Sequence, residues 1–342
     1  MIVLDAAEVA ALLPSRAAAE ALATALREGL DPEQCPPRTN LHAPAGELLI
    51  MPAASATYAG VKIAGVAPAN PGRGLPRITG SYLLLDGPTL LPLALLDAAA
   101  LTTLRTAAVS ALAIDALAEP DASRLVLFGA GPQAYAHLES ALNTRKLTHV
   151  TVVSRTGEAA ERLVTHARGL GLEARPGGPA DVSVADLVIC CTTAREPLFD
   201  GSRIPAHATV VAVGSHQPAV RETDSELVRR SSVWVEARTA ALREAGDLLI
   251  PLSEGVIAEN HIAGTLADLV HAGSRPPRDR PRFFKSVGMG WEDLVVAGAV
   301  YRTARGVARS GYPMVAHNSG RRAGIDGTRR SASLPITPPN QL

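Results

Sequence analysis

Short apolar segments separated by prolines fill the first third of the chain, and their pattern predicts both strands and helices. A helix is predicted near residues 15–28, and an alanine-rich apolar stretch at residues 101–117 predicts a long helix that stops before Pro120. Three apolar runs in between predict strands at residues 47–51, 58–67 and 78–85. The pattern therefore predicts an α+β domain over residues 1–118.

From residue 119 to about residue 290 the pattern changes to strands that alternate with helices, which is typical of a doubly wound parallel sheet. The predicted strands are residues 125–128, 150–153, 187–191, 209–213 and 232–236. A last amphipathic helix is predicted at residues 291–310, and we expect residues 291–316 to return to the first domain. Residues 317–342 lack periodicity and predict a disordered or loose tail.

A glycine turn follows the first of these strands. The sequence Gly129-Ala-Gly131-Pro132-Gln133-Ala134 has the form G-x-G-x-x-A, with a buried strand before it and a helix after it. The first glycine permits the tight turn, the second allows close approach of a pyrophosphate, and the alanine lets helix and strand pack closely. The segment predicts a dinucleotide held at a helix N-terminus.

The residues after the second strand bear on the choice of dinucleotide. Ser154, Arg155 and Thr156 stand where an acidic residue would bind the ribose 2′-hydroxyl of NAD(H). Hydroxyls and a guanidinium suit a 2′-phosphate, so NADP(H) is preferred and NAD(H) stays possible. In the other interpretation Arg155 is only a solvated charge at the end of a strand.

Composition excludes several other classes of protein. Of the 342 residues 47% are hydrophobic, and 33 basic residues balance 33 acidic ones, which argues against nucleic acid or an anionic membrane as the main partner. Three cysteines are too few for a disulfide framework, no targeting segment is evident, and we expect a cytoplasmic protein. No metal-binding motif or nucleophile elbow is present, so no metal site is predicted.

Four polar residues in apolar surroundings or at a strand end are candidates for chemistry. Lys62 lies in a strand, where it is either a buried functional group or a solvated one. Arg105 has apolar neighbours at helical spacing and could bind a carboxylate bidentately, whereas Arg38 is either a second cation for that carboxylate or a surface charge. His216 follows a predicted parallel strand, where it could donate a proton, hydrogen-bond a cofactor amide or be a structural or solvated residue.

These motifs together resemble the ornithine cyclodeaminase/mu-crystallin family, from about residue 38 to residue 310. The matching segments include LLIMPA, PANPGRGLPRITGSYLLLD, LALLDAAALTTLRTAAVSALA, FGAGPQAYAHLE, VVSRT, CCTTAREPLF, VAVGSHQPAVRE and FFKSVGMGWEDL. The resemblance implies an N-terminal α+β domain that binds substrate and forms a homodimer, followed by a Rossmann-type domain that binds NAD(P).

The resemblance also implies roles for individual residues. Arg38, Lys62, Arg105 and Thr79 would bind the substrate, and Lys62, Arg105 and His216 would take part in catalysis. The implied cofactor residues are Thr106, Gly129, Gly131, Pro132, Gln133, Ala134, Ser154, Arg155, Thr156, Thr192, Thr193, Val213, Ser286 and Gly288.

One departure from the family pattern selects among its reactions. Ornithine cyclodeaminases carry an aspartate in the motif matching VAVGSHQP, whereas His216 stands here. An imidazole cannot hold a δ-ammonium as a carboxylate does, so the sequence favours the reductases that resemble mu-crystallin. We therefore predict NADPH-dependent reduction of an α-imino acid, cyclic or linear, with Lys62 or His216 protonating the imine nitrogen.

Three other functions stay open at this point. The first is an ornithine or lysine cyclodeaminase that releases ammonia, and the second is an alanine dehydrogenase-like enzyme or one acting on N-substituted amino acids in a secondary pathway. The third is a protein that binds NADPH and a carboxylate ligand with little turnover. In every case the predicted partner is a small molecule.

Overall fold

A computed structural model describes residues 1–272 and 276–309, and these residues form two β-sheets with helices packed against them. The first sheet has six strands in the order β1-β6-β5-β4-β3-β2, in which only the pair β1 and β6 is parallel. These strands are β1 (Ile2–Leu4), β2 (Thr39–Ala43), β3 (Gly46–Ala54), β4 (Tyr58–Val66), β5 (Ile78–Asp86) and β6 (Pro92–Asp97).

Helices cover one face of this sheet and leave the other face open in the single chain. Alternate residues of β4, namely Gly60, Lys62 and Ala64, point towards the helices and are buried, whereas Ile63 points away and is exposed. The helices that precede or follow these strands are α1 (Ala6–Leu12), α2 (Ser15–Arg27) and α3 (Ala98–Leu117).

The second sheet has eight parallel strands in the order β13-β12-β14-β11-β10-β7-β8-β9. The strands are β7 (Arg124–Phe128), β8 (His149–Val153), β9 (Glu173–Pro176), β10 (Leu187–Cys190), β11 (Thr209–Ala212), β12 (Ser232–Val235), β13 (Ile262–Thr265) and β14 (Arg282–Lys285). The intervening helices are α4 (Pro132–Leu142), α5 (Gly157–Gly169), α6 (Ser225–Arg230), α7 (Arg238–Glu244), α8 (Gly246–Ser253) and α9 (Leu266–Ala272).

The order of these strands fixes where a ligand can bind. β7, β8 and β9 extend the sheet in one direction and β10 and β11 extend it in the other, so the chain order reverses between β7 and β10. Ligands of such sheets bind in the crevice at the carboxyl ends of the strands beside this reversal. The predicted fold class, a doubly wound parallel sheet with an α+β unit, is confirmed.

The last described helix, α10 (Gly290–Arg309), leaves the parallel sheet and packs against α2, α3, β3, β4 and β5. The return of this segment to the first sheet favours the predicted division into residues 1–118 with 291–316 and residues 119–290, which stays a prediction. The tail predicted at residues 317–342 lies outside the described residues.

Helix α3 joins the two units. Its length and composition would allow it to cross a membrane, but 61% of its apolar window is buried inside the protein. It contacts α2 and β5 on one side and α4 and β11 on the other, as the core helix of a folded domain does.

Six of the fourteen strands in the described part of the chain were not predicted from the sequence, and β14 is the most consequential of them. It lies between β12 and β11 in the middle of the sheet, although it begins and ends with the charged residues Arg282 and Lys285. Both side chains are buried because each finds an acidic partner, Glu119 for Arg282 and Asp247 for Lys285. Those partners are distant in sequence, so hydropathy alone gave no sign of the strand.

Candidate active site

Lys62 reaches from the inner face of β4 into a buried pocket of polar groups. Its Nζ lies 2.7 Å from Asp293 Oδ2 in the first turn of α10 and donates to Thr102 Oγ1 in α3 at 3.1 Å. Only 2% of Lys62 is exposed, so of the two interpretations that the sequence left open, the structure supports the buried one.

Burial sets the acidity of this ammonium group. Desolvation lowers the pKa of Lys62 from its usual value to about 8, against the opposing effect of the Asp293 carboxylate, and the charge of Arg105 lowers it further. A lysine with this pKa is largely protonated at neutral pH and releases its proton readily. It therefore has the properties of a general acid.

Arg105 lies one helical turn beyond Thr102 and shares the acidic partners of Lys62. Its Nη1 is 2.6 Å from Glu292 Oε2, and its Nε is 3.3 Å from Asp293 Oδ1. Its guanidinium packs against Gly288, whose φ is +76° and where a Cβ would come within 2.6 Å of Arg105 Nη1. Within the described residues, no hydrogen-bond acceptor meets Arg105 Nη2, which leaves this nitrogen for a ligand carboxylate.

Arg38 approaches the same place from the loop before β2. Its Nε lies 2.7 Å from Glu244 Oε2 at the end of α7, and its Nη2 donates to the carbonyl oxygens of Val287 and Gly288. At the other end of α7, Glu33 accepts from the backbone N–H of Arg238 at 2.7 Å. The loop is thus bound to α7 at both ends, which holds Arg38 beside the parallel sheet.

The structure does not bring Thr79 to this cluster. In the paired strands β4 and β5, Lys62 lies opposite Tyr82 and Gly65 lies opposite Thr79. Thr79 is therefore three residues along its strand from the partner of Lys62. An odd number of residues reverses the side-chain direction in a strand, so Thr79 lies on the open face of the sheet and is exposed. Within one chain, the predicted role of Thr79 in substrate binding has no geometric support.

His216 lies near the cations but is held in its neutral form. Burial lowers the pKa of His216 to about 4, and the charges of Arg38, Lys285, Arg105 and Lys62 act in the same direction. Its Nε2 is buried and has no hydrogen-bond partner among the described residues. His216 therefore has no imidazolium proton to give at neutral pH, and of the two predicted proton donors the geometry favours Lys62.

The glycine turn forms the crevice between β7 and β10. Gly129 has a φ of +111°, and a Cβ there would lie 2.6 Å from the carbonyl oxygen of Cys191, so the turn requires glycine. Gly131 and Pro132 begin α4, and a Cβ on Gly131 would meet no atom within 4 Å. This open space beside the N-terminus of an 11-residue helix suits the pyrophosphate of a dinucleotide.

The remaining residues of the turn connect it to α3. Ala134 is fully buried, which allows α4 to lie close to the sheet as predicted. Gln133 Nε2 donates to the carbonyl oxygen of Thr102 at 3.4 Å, while the Thr102 hydroxyl accepts from Lys62. Thr102 therefore joins the dinucleotide crevice to the buried cluster.

The adenosine side of the crevice is accessible. Ser154 follows β8 and is half-buried, and Arg155 and Thr156 are exposed before the N-terminus of α5. The Arg155 side chain has no ion-pair partner among the described residues, in contrast to Arg162 in the next turn, which pairs with Glu158. Arg155 is thus available to a phosphate.

Several predicted cofactor residues instead use their hydroxyls to support the site. Thr192 donates to Glu222, Ser286 donates to Glu236, and Thr106 donates to the carbonyl oxygen of Thr102. Val213 and Thr193 lie at the same carboxyl edge of the sheet. Of these five residues, Thr106 and Ser286 are buried, Thr192 and Val213 are half-buried, and Thr193 is exposed.

The profile of the ornithine cyclodeaminase/mu-crystallin family matches residues 1–307. The chain belongs to this family. The resemblance inferred from the motifs is thereby confirmed.

Three relatives within the family are informative. The Δ1-pyrroline-2-carboxylate reductase of Colwellia psychrerythraea is 34% identical over 66% of this chain and 73% of its own. The ketimine reductase mu-crystallin of Mus musculus is 36% identical over 66% of this chain and 70% of its own. The structure of the Thermococcus litoralis Δ1-pyrroline-2-carboxylate reductase with NADH and L-proline has a TM-score of 0.86 at 31% identity, covering 90% of this chain and 98% of that one. The predicted enzyme class, an oxidoreductase of the CH–NH group, agrees with these relatives.

The acidic half of the cluster was not predicted from the sequence motifs of this family member. Glu292 and Asp293 begin α10, Glu236 follows β12 and Glu244 ends α7. The signal was present in part, because a buried lysine and a buried arginine require anionic partners, and Glu292 and Asp293 come directly before the apolar run Leu294 to Val300. Which acids meet which cations depends on how α10 packs, which spacing does not reveal.

A second buried ion pair holds the loop that carries His216. Lys285 Nζ is 3.0 Å from Asp247 Oδ2 and donates to the carbonyl oxygen of Ser215 at 2.7 Å, and both charged side chains are fully buried. Asp247 accepts from the backbone of Glu222 and Thr223, which closes the loop. This pair is therefore a support for the carboxyl edge of the sheet.

Replacing Lys285 by Met should destabilise the protein strongly, because the buried Asp247 carboxylate would lose its counter-charge. We expect a loss of about 3 to 5 kcal/mol in the free energy of unfolding, measured by urea denaturation. The matched control is Arg162→Met, which breaks an exposed ion pair and should cost less than about 1 kcal/mol. Equal effects of the two substitutions would contradict a supporting role for Lys285.

Proposed function

We propose that this protein is an NADPH-dependent reductase of cyclic α-imino acids, which converts the C=N bond to the CH–NH bond of an amino acid such as proline or pipecolate. The observation that carries the proposal is the position of Thr102. Its hydroxyl accepts from Lys62, a proton donor with a pKa of about 8, and its carbonyl oxygen accepts from Gln133 of the dinucleotide turn. Thr102 thus contacts both the proton donor and the predicted dinucleotide site.

The proposed reaction follows from the residues around Thr102. The substrate carboxylate would bind the free edge of Arg105, with Arg38 nearby as a second cation. NADPH, when bound, supplies the hydride for the imine carbon and is oxidised to NADP⁺. Lys62 gives its proton to the imine nitrogen, so that one hydride and one proton reduce the C=N bond. The neutral imidazole of His216 can hydrogen-bond substrate or cofactor without competing for the carboxylate.

A cyclodeaminase is the main alternative, and the neutral state of His216 weighs against it. A neutral imidazole among Arg38, Lys285 and Arg105 gives no anionic site for the side-chain ammonium of ornithine or lysine. Assays of NADPH oxidation with Δ1-pyrroline-2-carboxylate and of ammonia release from ornithine separate the two activities. Ammonia release without net NADPH consumption would replace the proposed function by the alternative.

Replacing Lys62 by Met should lower kcat by about 100-fold to 10,000-fold, because no other group donates the proton. In the unsubstituted enzyme, kcat should fall as pH rises above about 8, since the ammonium form of Lys62 is lost through its pKa of about 8. Steady-state kinetics across pH measure both effects. The control Lys146→Met changes an exposed lysine and should keep full activity and the same profile. A Lys62→Met enzyme of unchanged kcat would rule out the proposed role.

The preference for NADPH over NADH rests on Arg155, which is exposed and free of a carboxylate partner among the described residues. Replacing it by Gln should weaken NADPH binding by about 10-fold to 100-fold, because a charge-assisted hydrogen bond to the 2′-phosphate is lost. NADH binding should be unchanged. Fluorescence titration of both cofactors gives the ratio, with Arg229→Gln as a control at a distant exposed arginine. Equal weakening for both cofactors would contradict the assignment.

We further infer a homodimer formed through the open face of the first sheet. Large apolar side chains point to this face from several strands, and some of them are exposed in the single chain. They include Val3 at 59%, Leu41 at 55% and Ile63 at 45% exposure. An apolar sheet face of this extent is typical of an interface, and two copies of one chain match it by symmetry.

Replacing Ile63 by Glu should weaken the dimer at least about tenfold, because a carboxylate would be buried at the interface. Sedimentation velocity over a range of protein concentrations measures the monomer fraction. Val184 lies outside this face and is 54% exposed, so Val184→Glu should leave the assembly unchanged. A monomeric unsubstituted protein, or a dimer unaffected by Ile63→Glu, would refute this interface.

The cysteines support the predicted cytoplasmic location. Cys35, Cys190 and Cys191 are all free. Burial raises the pKa of the Cys190 and Cys191 thiols well above the ordinary value, with the charge of Glu222 acting in the same direction. Both therefore stay protonated and unreactive, as suits a protein of a reducing compartment.

A further inference from the structure

The buried cluster around Lys62 brings the carboxyl groups of Glu236 and Glu292 next to each other. Its other two acids have cations of their own: Glu244 pairs with Arg38 and Arg243, and Asp293 pairs with Lys62 and Arg105. Two adjacent ionised carboxylates repel each other strongly in a protein interior, and one proton held between them removes this repulsion.

The hydrogen bonds identify the carboxyl group that can hold this proton. Both oxygens of Glu236 are already acceptors, Oε1 from the Ser286 hydroxyl and Oε2 from the backbone N–H groups of Val287 and Gly288 at 2.9 Å each. Glu292 Oε2 faces Arg105, whereas Glu292 Oε1 is buried and has no partner among the described residues. The carboxyl group of Glu292 lies within hydrogen-bonding reach of Glu236. A proton on the Glu292 carboxyl group would complete this bond.

We propose that Glu292 is a neutral carboxylic acid at neutral pH and that its ionisation weakens the binding of the substrate carboxylate to Arg105. The inference rests on the proposed function, because it requires that Arg105 binds that carboxylate. Neutral Glu292 holds the guanidinium in place through one hydrogen bond and leaves its positive charge for the substrate. Ionised Glu292 would neutralise Arg105 itself and would repel the incoming anion.

The surroundings of Glu292 support this protonation state. Burial raises the pKa of Glu292 well above its usual range, the nearby charge of Glu236 adds to the effect, and Arg105 only partly opposes it. The other titratable or charged groups that face Glu292 are Asp293 on its own helix and Arg38 and Cys35 from the loop before β2. Lys62 acts on the cluster through Asp293.

The sign of the pH dependence follows from these groups. Rising pH removes the proton from Glu292, adds a negative charge next to Arg105 and so weakens binding of a carboxylate ligand. Deprotonation of Lys62 acts mainly on kcat, because it removes the proton that the imine nitrogen receives. The pH dependence of the Kd therefore reports on Glu292, and the pH dependence of kcat reports on Lys62.

The test is Glu292→Gln, since an amide reproduces the neutral acid. Its carbonyl oxygen accepts from Arg105, and its N–H donates to Glu236. The binding of L-proline and of L-pipecolate to the enzyme with NADP⁺ would be measured by calorimetry from about pH 6 to about pH 9. We expect the Kd of the unsubstituted enzyme to rise by up to about tenfold per pH unit on the alkaline side. The variant should bind with nearly the same Kd at neutral pH and should lose this rise.

A matched variant and a spectroscopic measurement complete the test. Glu236→Gln would place an amide N–H against the backbone N–H groups that now donate to Glu236. We therefore expect this variant to bind the amino acids more weakly across the whole pH range, whereas Glu292→Gln should keep its affinity. Infrared spectroscopy should detect the C=O stretch of a protonated carboxylic acid in the unsubstituted enzyme without substrate, and this band should be absent from Glu292→Gln. The fall of kcat above about pH 8, due to Lys62, should persist in Glu292→Gln.

The outcomes separate this inference from the proposed function. Imine reduction without the carboxylic acid band, or a strong loss of affinity in Glu292→Gln at neutral pH, would overturn the inference and leave the reductase assignment intact. A protein that shows the band but neither binds the amino acids nor reduces an imine would overturn the function, and with it the role of Glu292 towards substrate.

Discussion

The ion pair between Lys62 and Asp293 connects parts of the chain that are more than two hundred residues apart, and much of the structure depends on it. Lys62 lies in a strand of the first sheet, whereas Asp293 begins the helix that returns from the second one. A buried ammonium without a counter-ion would be strongly destabilising, so α10 must pack against β4 and α3 for the fold to be stable. The same contact limits how far burial lowers the pKa of Lys62, which keeps the group protonated near neutral pH.

Buried charge serves a second purpose at the carboxyl edge of the parallel sheet. Lys285, Asp247 and Glu222 bind backbone groups of the loops that follow β10 and β11, and so they fix those loops without meeting a ligand. The glycine turn and Arg155 differ from these buried charges, because they are accessible and their hydrogen-bond donors are free for a ligand. The site therefore combines a rigid, internally satisfied support with a small number of unpartnered groups.

The protonation states of this cluster connect the structure to its chemistry. A neutral His216 favours reduction of a C=N bond over loss of a side-chain amine, because it gives no negative charge to hold that amine. In the proposed function, Lys62 supplies the proton and Arg105 binds the substrate carboxylate. A neutral Glu292 would keep Arg105 available, so that one extra proton in the cluster makes substrate binding sensitive to pH.

The sequence by itself predicted the parallel sheet, the glycine turn and the return of the last helix, and it made Lys62 and Arg105 candidates for chemistry. These predictions depend on local periodicity and on the cost of burying an unpaired charge in a strand or helix, whereas the role expected of Arg38 came from the family resemblance. Only the tertiary structure decided that Lys62 is buried, that Thr79 lies on the opposite face of its sheet and that Thr192 and Ser286 support the site through their hydroxyls. It also revealed the acids that complete the cluster and the strand β14. These properties depend on which groups meet across long sequence separations, because burial and pairing of charge are set by packing and not by neighbours along the chain.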